Sequence, residues 1–120
     1  MDELIALLAT KAGVGEAVAE KTIGIILDFL RNGGPSEKVQ VLIDRIPGAE
    51  AAIAASDKDI LGKLLGGGLM AVGTRLMRLG LGIGDIQNVA RELFRFGRDK
   101  IGADQMSEII AGTPGLSQLV

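Results

Sequence analysis

The chain has 120 residues, a net charge of −2 at pH 7, and no cysteine, histidine, tryptophan or tyrosine. Its length predicts one domain, and the missing residue types exclude disulfides, thiolate chemistry and the side chain that most often acts as a general base. The net charge is too small to mark the whole surface for nucleic acid or an anionic membrane.

The apolar residues are mostly small or aliphatic. Hydrophobic residues make up 48% of the chain, yet only three of them are phenylalanines. A core built from Leu, Ile, Val, Ala and Met suits closely packed helices. The 18 glycines are about twice the average share of ~7%, so we expect many of them at breaks between helices.

In the N-terminal part, apolar residues recur at steps of three and four, the period of a helix. The breaks between these runs contain glycine or proline, at residues 13–15, 32–35 and 47–48, as helix ends require. The predicted helices run from Asp2 to about Ala12, from Glu16 to about Arg31, from a cap at Ser36 to about Ile46, and from Ala49 to Ala55.

The rest of the chain shows the same period with more glycines. Residues 56–59 predict a helix cap, a short apolar helix follows to Leu65, and residues 66–68 are all glycine. Later helices are predicted from Leu69 to Leu79, from Ile86 to about Ile101 with Gly84 or Asp85 as cap, and from Asp104 to Gly112. No segment alternates apolar and polar residues like a strand, so the sequence predicts an all-α bundle of about six to eight helices.

Two parts of the chain resemble each other. The segment "IPGAEAAI" at residues 46–53 is similar to "TPGLSQLV" at 113–120, and "GVGEA" at 13–17 is similar to "GIGDI" at 82–86. These pairs are offset by 67 and 69 residues, which implies short deletions in loops. We predict two similar half-repeats, residues 1–55 and 82–120, joined by a Gly-rich helical hairpin at 56–81. Each half is marginal alone, so the two should share one core.

Motifs for catalysis, metal binding or phosphate binding are weak. The glycines at 66–68 and 80–84 lack the strand–turn–helix context of phosphate loops. Asp57 and Asp59 form a bare carboxylate pair, for which stabilisation of a helix start is the preferred interpretation. We therefore predict no enzyme activity, no catalytic residues, no metal and no cofactor.

The charges are distributed unevenly. Residues 1–62 carry a net charge of −4 and residues 63–100 carry +4. Arg91, Arg95 and Arg98 form a basic stripe on one predicted helix, and Arg75 and Arg78 lie three apart on the helix before it. These five arginines are the candidate face for an anionic partner. No aromatic residues are placed to stack bases among them, so no nucleic-acid partner is expected.

The predicted helix at 86–101 has an apolar arc wider than a one-sided surface helix requires. This width places the helix at the centre of the fold or at a contact between subunits. The candidate contact residues are Phe96, Leu69, Met70 and Met77. Together with the opposite charges of the two parts of the chain, the arc favours a homodimer.

Signals for membranes and export are weak. The chain starts with Met1-Asp2-Glu3, which has the wrong polarity for a signal or transit peptide. In the apolar middle of the chain, the longest stretch without a charge is Leu64 to Thr74, which has 11 residues, whereas a spanning helix needs about 20. The sequence therefore predicts a cytoplasmic protein.

The block "GGGLMAVGTRLMRLGLGIGDIQNVARELFRFGRDKIG" and the ending "AGTPGLSQLV" resemble a group of small bacterial all-helical domains of unknown function. This resemblance implies a bacterial source and a helical fold, and it carries no functional residues. We predict a non-catalytic helical module that binds protein, with a second copy of itself as the favoured partner. Two alternatives stay open: a peripheral binder of an anionic membrane or other anionic surface through the arginines, and a small-molecule-binding protein or enzyme.

Overall fold

The computed structural model describes residues 2–56 and 69–113, which form seven helices and no strand. The helices are α1 (Asp2–Ala12), α2 (Glu16–Gly33), α3 (Ser36–Arg45), α4 (Ala49–Ser56), α5 (Leu69–Arg78), α6 (Ile83–Ile101) and α7 (Ala103–Gly112). The prediction of an all-α bundle is confirmed. The predicted short helix to Leu65, the glycines at 66–68, the carboxylate pair Asp57 and Asp59, and the segment 114–120 lie outside the described residues.

Most predicted helix ends agree with the structure within two residues, but α6 begins three residues early. Gly82 is its N-cap in an extended conformation, and the Gly82 amide donates a hydrogen bond to the Asp85 carboxylate at 3.1 Å. Asp85 therefore closes the first turn from the third helical position and is not the cap. At α3 the cap is Pro35, so Ser36 is the first helical residue and was wrongly predicted as the cap.

α2 is the most enclosed helix of the fold. It packs against α1, α3, α4 and α5, and no charged residue interrupts the segment 22–27. Eight residues of α2 are buried: Ala19, Thr22, Ile23, Gly24, Ile25, Ile26, Leu27 and Leu30. α6 is also packed by four helices and buries most of its predicted apolar arc, but it keeps one exposed side.

α4 and α2 touch backbone to backbone. A Cβ built on Gly24 of α2 would overlap the carbonyl oxygen of Ala52 on α4, and Ala49 and Ala52 are fully buried in this contact. At its edge, the Arg31 guanidinium donates to the Glu50 carboxylate across 3.3 Å. α4 is therefore held against α2 by close packing at Gly24, Ala49 and Ala52 and by one ion pair.

Helix starts recur along the chain at one constant spacing. α2 and α6 begin 67 residues apart, and so do α3 and α7. We call α1–α4 the first half and α5–α7 the second half. Under this spacing α5 is the counterpart of α1, although the sequence had placed it in a connecting hairpin.

The glycine turns before the two long helices follow the same spacing. Gly13 and Gly80 both have positive φ, at 68° and 100°, and Gly15 and Gly82 are the N-caps of α2 and α6. Under the spacing of 67 residues, residues 13–17 align with 80–84, whereas the sequence similarity had paired them with 82–86. With an offset of 67 residues instead of 69, the described helices of the two halves align without deletions in the loops.

The first helix of each half contacts the long helices of both halves. α1 packs on α2 and on α6, and α5 also packs on both. The buried apolar residues of all seven described helices form one cluster. The two halves therefore share one core.

Candidate functional site

A cleft of about 260 Å³ opens between α6 and α7. One side carries the three arginines of the predicted basic stripe, and the remaining wall and floor are mostly apolar. The lining residues are Arg91, Phe94, Arg95, Arg98, Ala103, Met106, Ser107 and Ile110. The stripe is therefore the rim of a concave site and not a flat surface.

Two glycines place α7 beside α6. Gly102 has φ 94°, a conformation that glycine adopts without strain, and it alone separates the two helices. A Cβ on Gly97 would lie 2.9 Å from the Met106 sulfur and 3.1 Å from a Leu42 methyl carbon. Because Gly97 has no side chain, Met106 lies close against α6 and contributes the floor of the cleft.

The three arginines of the cleft are exposed. Steps of four and three residues put them on one side of α6. Arg95 lies 3.8 Å from the Glu92 carboxylate, a solvated pair of small energetic value. Within residues 2–56 and 69–113, Arg91 and Arg98 form no ion pair, so their charges are available to an external carboxylate or phosphate.

The floor beneath the arginines is apolar. Phe94 and Met106 are 5% and 2% exposed, and Ile110 is half-buried. Phe94 and Met106 have little exposed surface left to bury, so a partner gains here mainly by removing its own apolar side chain from water, in addition to ion pairs at the rim. This combination suits an amphipathic segment better than a small free anion.

The position of the cleft on α6 corresponds to the position at which α4 packs on α2 in the first half. With the spacing of 67 residues, Arg91 occupies on α6 the position that Gly24 occupies on α2. Gly24 lets Ala52 of α4 come into backbone contact. By the same spacing, the counterpart of α4 starts at residue 116, which lies outside the described residues. Because Arg91 carries a long side chain where the first half has a glycine, a helix cannot approach α6 at this position as closely as α4 approaches α2.

The polar residues at the α4 contact of the first half also correspond to polar residues that line the cleft. In the first half, Arg31 and Gln40 both donate to the Glu50 carboxylate, at 3.3 and 3.2 Å. The counterparts of Arg31 and Gln40 are Arg98 and Ser107, which both line the cleft. The second half thus presents donors where the first half binds a carboxylate.

Arg75 and Arg78 do not line the cleft. Both lie on α5, where Arg75 is 8% exposed and Arg78 is exposed, and each already has an interaction partner within the chain. The prediction of Arg75 as part of an exposed anionic-partner face is wrong, because α5 packs against both α2 and α6 and turns Arg75 inward. Three of the five predicted arginines therefore form the site.

The residues predicted for a subunit contact lie on different helices. Phe96 is half-buried beside a groove between α1 and α6, and the Lys100 ammonium lies 5.1 Å from its ring centroid. Met77 on α5 is 49% exposed. The side chains of Leu69 and Met70 lie outside the described residues.

Two exposed apolar side chains were missed by the sequence analysis. Val41 on α3 is 49% exposed and Ile83 at the start of α6 is 65% exposed. The sequence groups Val41 with the apolar set of its helix, beside Val39, Leu42, Ile43 and Ile46. The signal for its exposure is the spacing of Glu37, Val41 and Asp44 by four and three residues, which places Val41 on a charged side of α3.

The described residues contain no group of three or more His, Cys, Asp or Glu side chains that could hold a metal ion. Among the same residues, no helix combines the length and the hydropathy needed to cross a membrane.

No protein-family model, no curated protein and no solved structure matches this chain. The function proposed below accordingly rests on geometry and charge.

Proposed function

We propose that this chain is a non-catalytic helical interaction module of the cytoplasm, which binds protein and associates with copies of itself. The observation that supports it is the cleft between α6 and α7, with exposed arginines above an apolar floor at the place where the first half seats a helix. Interfaces combine an apolar centre with a polar rim in this way. A helix with carboxylates beside an apolar side chain is the segment that fits it.

An anionic membrane surface is the alternative, and the geometry favours it less. A helix that lies on a membrane directs its apolar side chains outward into the lipid. In the cleft the apolar side chains are recessed, since Phe94 and Met106 are almost fully buried. The arginines stand at the edge of a concave site, a shape that favours a protruding protein segment over a flat lipid surface.

The charge distribution favours a second copy as the partner. Residues 1–62 carry a net charge of −4 and residues 63–100 carry +4. Copies that approach with unlike regions facing each other attract, which raises the association rate and selects the orientation. Because every copy carries both an acidic and a basic region, this attraction supports self-association.

Self-association is expected to depend on salt. The range of electrostatic interactions falls from about 10 Å at 0.1 M ionic strength to about 3 Å at 1 M. Sedimentation equilibrium should therefore show dimers or larger assemblies at high micromolar concentration in low salt, and mostly monomer at about 1 M salt. A monomer under both conditions contradicts the proposal.

Removing two cleft arginines is expected to weaken association. The variant Arg91→Ser/Arg98→Ser should raise the dissociation constant about tenfold, because two rim ion pairs are worth about 1 kcal/mol or slightly more together. The control Lys11→Ser/Lys21→Ser removes the same charge from exposed positions outside the cleft and should change it much less. An equal loss in both variants assigns the effect to net charge and contradicts a role for the cleft.

The same two variants test the membrane alternative. Vesicles of phosphatidylserine and phosphatidylcholine are pelleted with wild-type protein and with each variant. We expect little salt-sensitive pelleting of any of them. Pelleting that is lost with Arg91→Ser/Arg98→Ser and kept with the lysine control would assign the cleft to anionic lipid and overturn the proposal of a protein partner.

A further inference from the structure

We propose that the cleft of one copy receives the exposed side of α3 of a second copy. In this contact Glu37 and Asp44 pair with the cleft arginines, and Val41 lies on the apolar floor. The inference rests on the self-association proposed above and identifies the two surfaces that meet.

The exposed side of α3 has the composition that the cleft requires. Glu37, Val41 and Asp44 are all exposed, and steps of four and three residues put them on one side of the helix. The opposite side of α3 is buried. In the described part of the chain Glu37 forms no ion pair, and Asp44 accepts a hydrogen bond from Gln40 of the same helix at 3.0 Å.

The charges of the two surfaces have the same spacing. The cleft arginines also follow each other by four and three residues, so each outer pair spans seven residues, or about 10.5 Å of helix axis. When α3 lies along α6, one carboxylate reaches Arg91 and the other reaches Arg98. Val41 then stands midway between them, above the floor formed by Phe94 and Met106.

The first half contains the corresponding contact within one chain. There the Glu50 carboxylate of α4 accepts hydrogen bonds from Arg31 and Gln40. Arg98 and Ser107 occupy the corresponding positions in the cleft. A carboxylate of the incoming α3 therefore takes the place that Glu50 has in the first half.

α7 is a weaker match for the cleft than α3. It carries Asp104 and Glu108 at the positions that correspond to Glu37 and Val41, so no apolar side chain stands between two carboxylates. Glu108 is also already paired with Lys38. These differences select α3 as the surface that docks.

The contact joins unlike surfaces, so a two-fold dimer contains it twice, whereas a single copy of it at each joint produces a ring or an open chain. In each of these assemblies a cleft is filled by α3 of another copy. The charge pattern can therefore be tested without knowing the symmetry.

The test exchanges the charges between two versions of the full chain. One version carries Glu37→Lys and Asp44→Lys, and the other carries Arg91→Glu and Arg98→Glu. Alone, each version places like charges at the contact, and we expect its association by sedimentation equilibrium to weaken about 100-fold. Mixed in equal amounts, the two versions present opposite charges at every contact, so association should return to within a few-fold of wild type.

Controls separate docking from folding and from net charge. All four substituted side chains are exposed, so each version should keep the helical circular dichroism and the unfolding midpoint of the wild type. A version with Glu3→Lys and Glu16→Lys changes two other exposed carboxylates by the same charge and should associate far more strongly than the version with Glu37→Lys and Asp44→Lys.

The outcomes distinguish the two proposals. Suppose that the wild-type protein associates. If the charge-reversed versions then associate as strongly as the wild type, or if mixing them does not restore association, the docking of α3 is overturned and self-association is retained. Wild-type protein that is monomeric at high micromolar concentration in low salt overturns both.

Discussion

Replacing Leu8 or Leu93 with alanine is expected to lower the free energy of unfolding by about 2–5 kcal/mol in each case. Leu8 on α1 is fully buried, and Leu93 on α6 is 1% exposed. Each substitution removes apolar atoms from a filled interior and leaves a cavity that the surrounding helices close only in part. Urea denaturation followed by circular dichroism measures the change.

Both substitutions should shift the same single transition. Leu8 belongs to the first half and Leu93 to the second, but both side chains lie in one apolar cluster, and α1 packs on α6. The matched control is Leu7→Ala, which removes the same atoms from a half-buried position on α1 and should cost clearly less. Two separate transitions, each moved by one of the two variants, would contradict a shared core.

Gly24→Ala is expected to lower the free energy of unfolding by about 1–3 kcal/mol, the usual cost of inserting atoms where no space exists. A methyl group at this position overlaps the Ala52 carbonyl oxygen of α4, so α4 has to move away from α2. In most helix interiors the same change is stabilising, by about 0.5–1 kcal/mol. At Gly24 the contact with α4 makes the substitution destabilising instead.

Gly73→Ala is the matched control for this reversal. Gly73 lies inside α5, where an added Cβ meets no described atom within 4 Å, so alanine should raise the free energy of unfolding by about 0.5–1 kcal/mol. Hydrogen exchange of the α4 amides should quicken with Gly24→Ala and stay unchanged with Gly73→Ala. Stabilisation by both variants would mean that α2 and α4 do not touch at Gly24.

The sequence predicted the helices well because their apolar period and their glycine and proline breaks are local signals. It failed at the start of α6, where Gly80, Gly82 and Gly84 offer three candidate breaks. Backbone conformation decides among them, since Gly80 takes positive φ and Gly82 is the extended cap. The same ambiguity produced the offset of 69 residues in place of 67.

The arginines of the site could also be predicted, because a spacing of four and three residues fixes one side of a helix. The burial of Arg75 could not, since the helical period does not tell which side of a short helix such as α5 meets two neighbours. The cleft itself depends on the placement of α7, which follows from positive φ at Gly102 and close packing at Gly97. Neither is visible in a single sequence.

The exposure of Val41 was not predicted because its neighbours in the sequence are apolar. Three other apolar residues, Val39, Leu42 and Ile43, surround it in the sequence and are buried, so a count of apolar residues placed all of them in the core. Only the charged residues four before and three after it indicate an exposed side. The surface proposed to dock in the cleft therefore depends on a residue that composition alone assigns to the interior.

The most direct measurement is a dilution series of amide NMR spectra on the wild-type protein in low salt. We expect concentration-dependent shifts in two groups of amides, residues 37–44 of α3 and residues 91–107 around the cleft, and little change elsewhere. Shifts confined to the groove beside Phe96 or to the surface near Met77, or spectra that do not change with concentration, would contradict the cleft as the surface at which two copies meet.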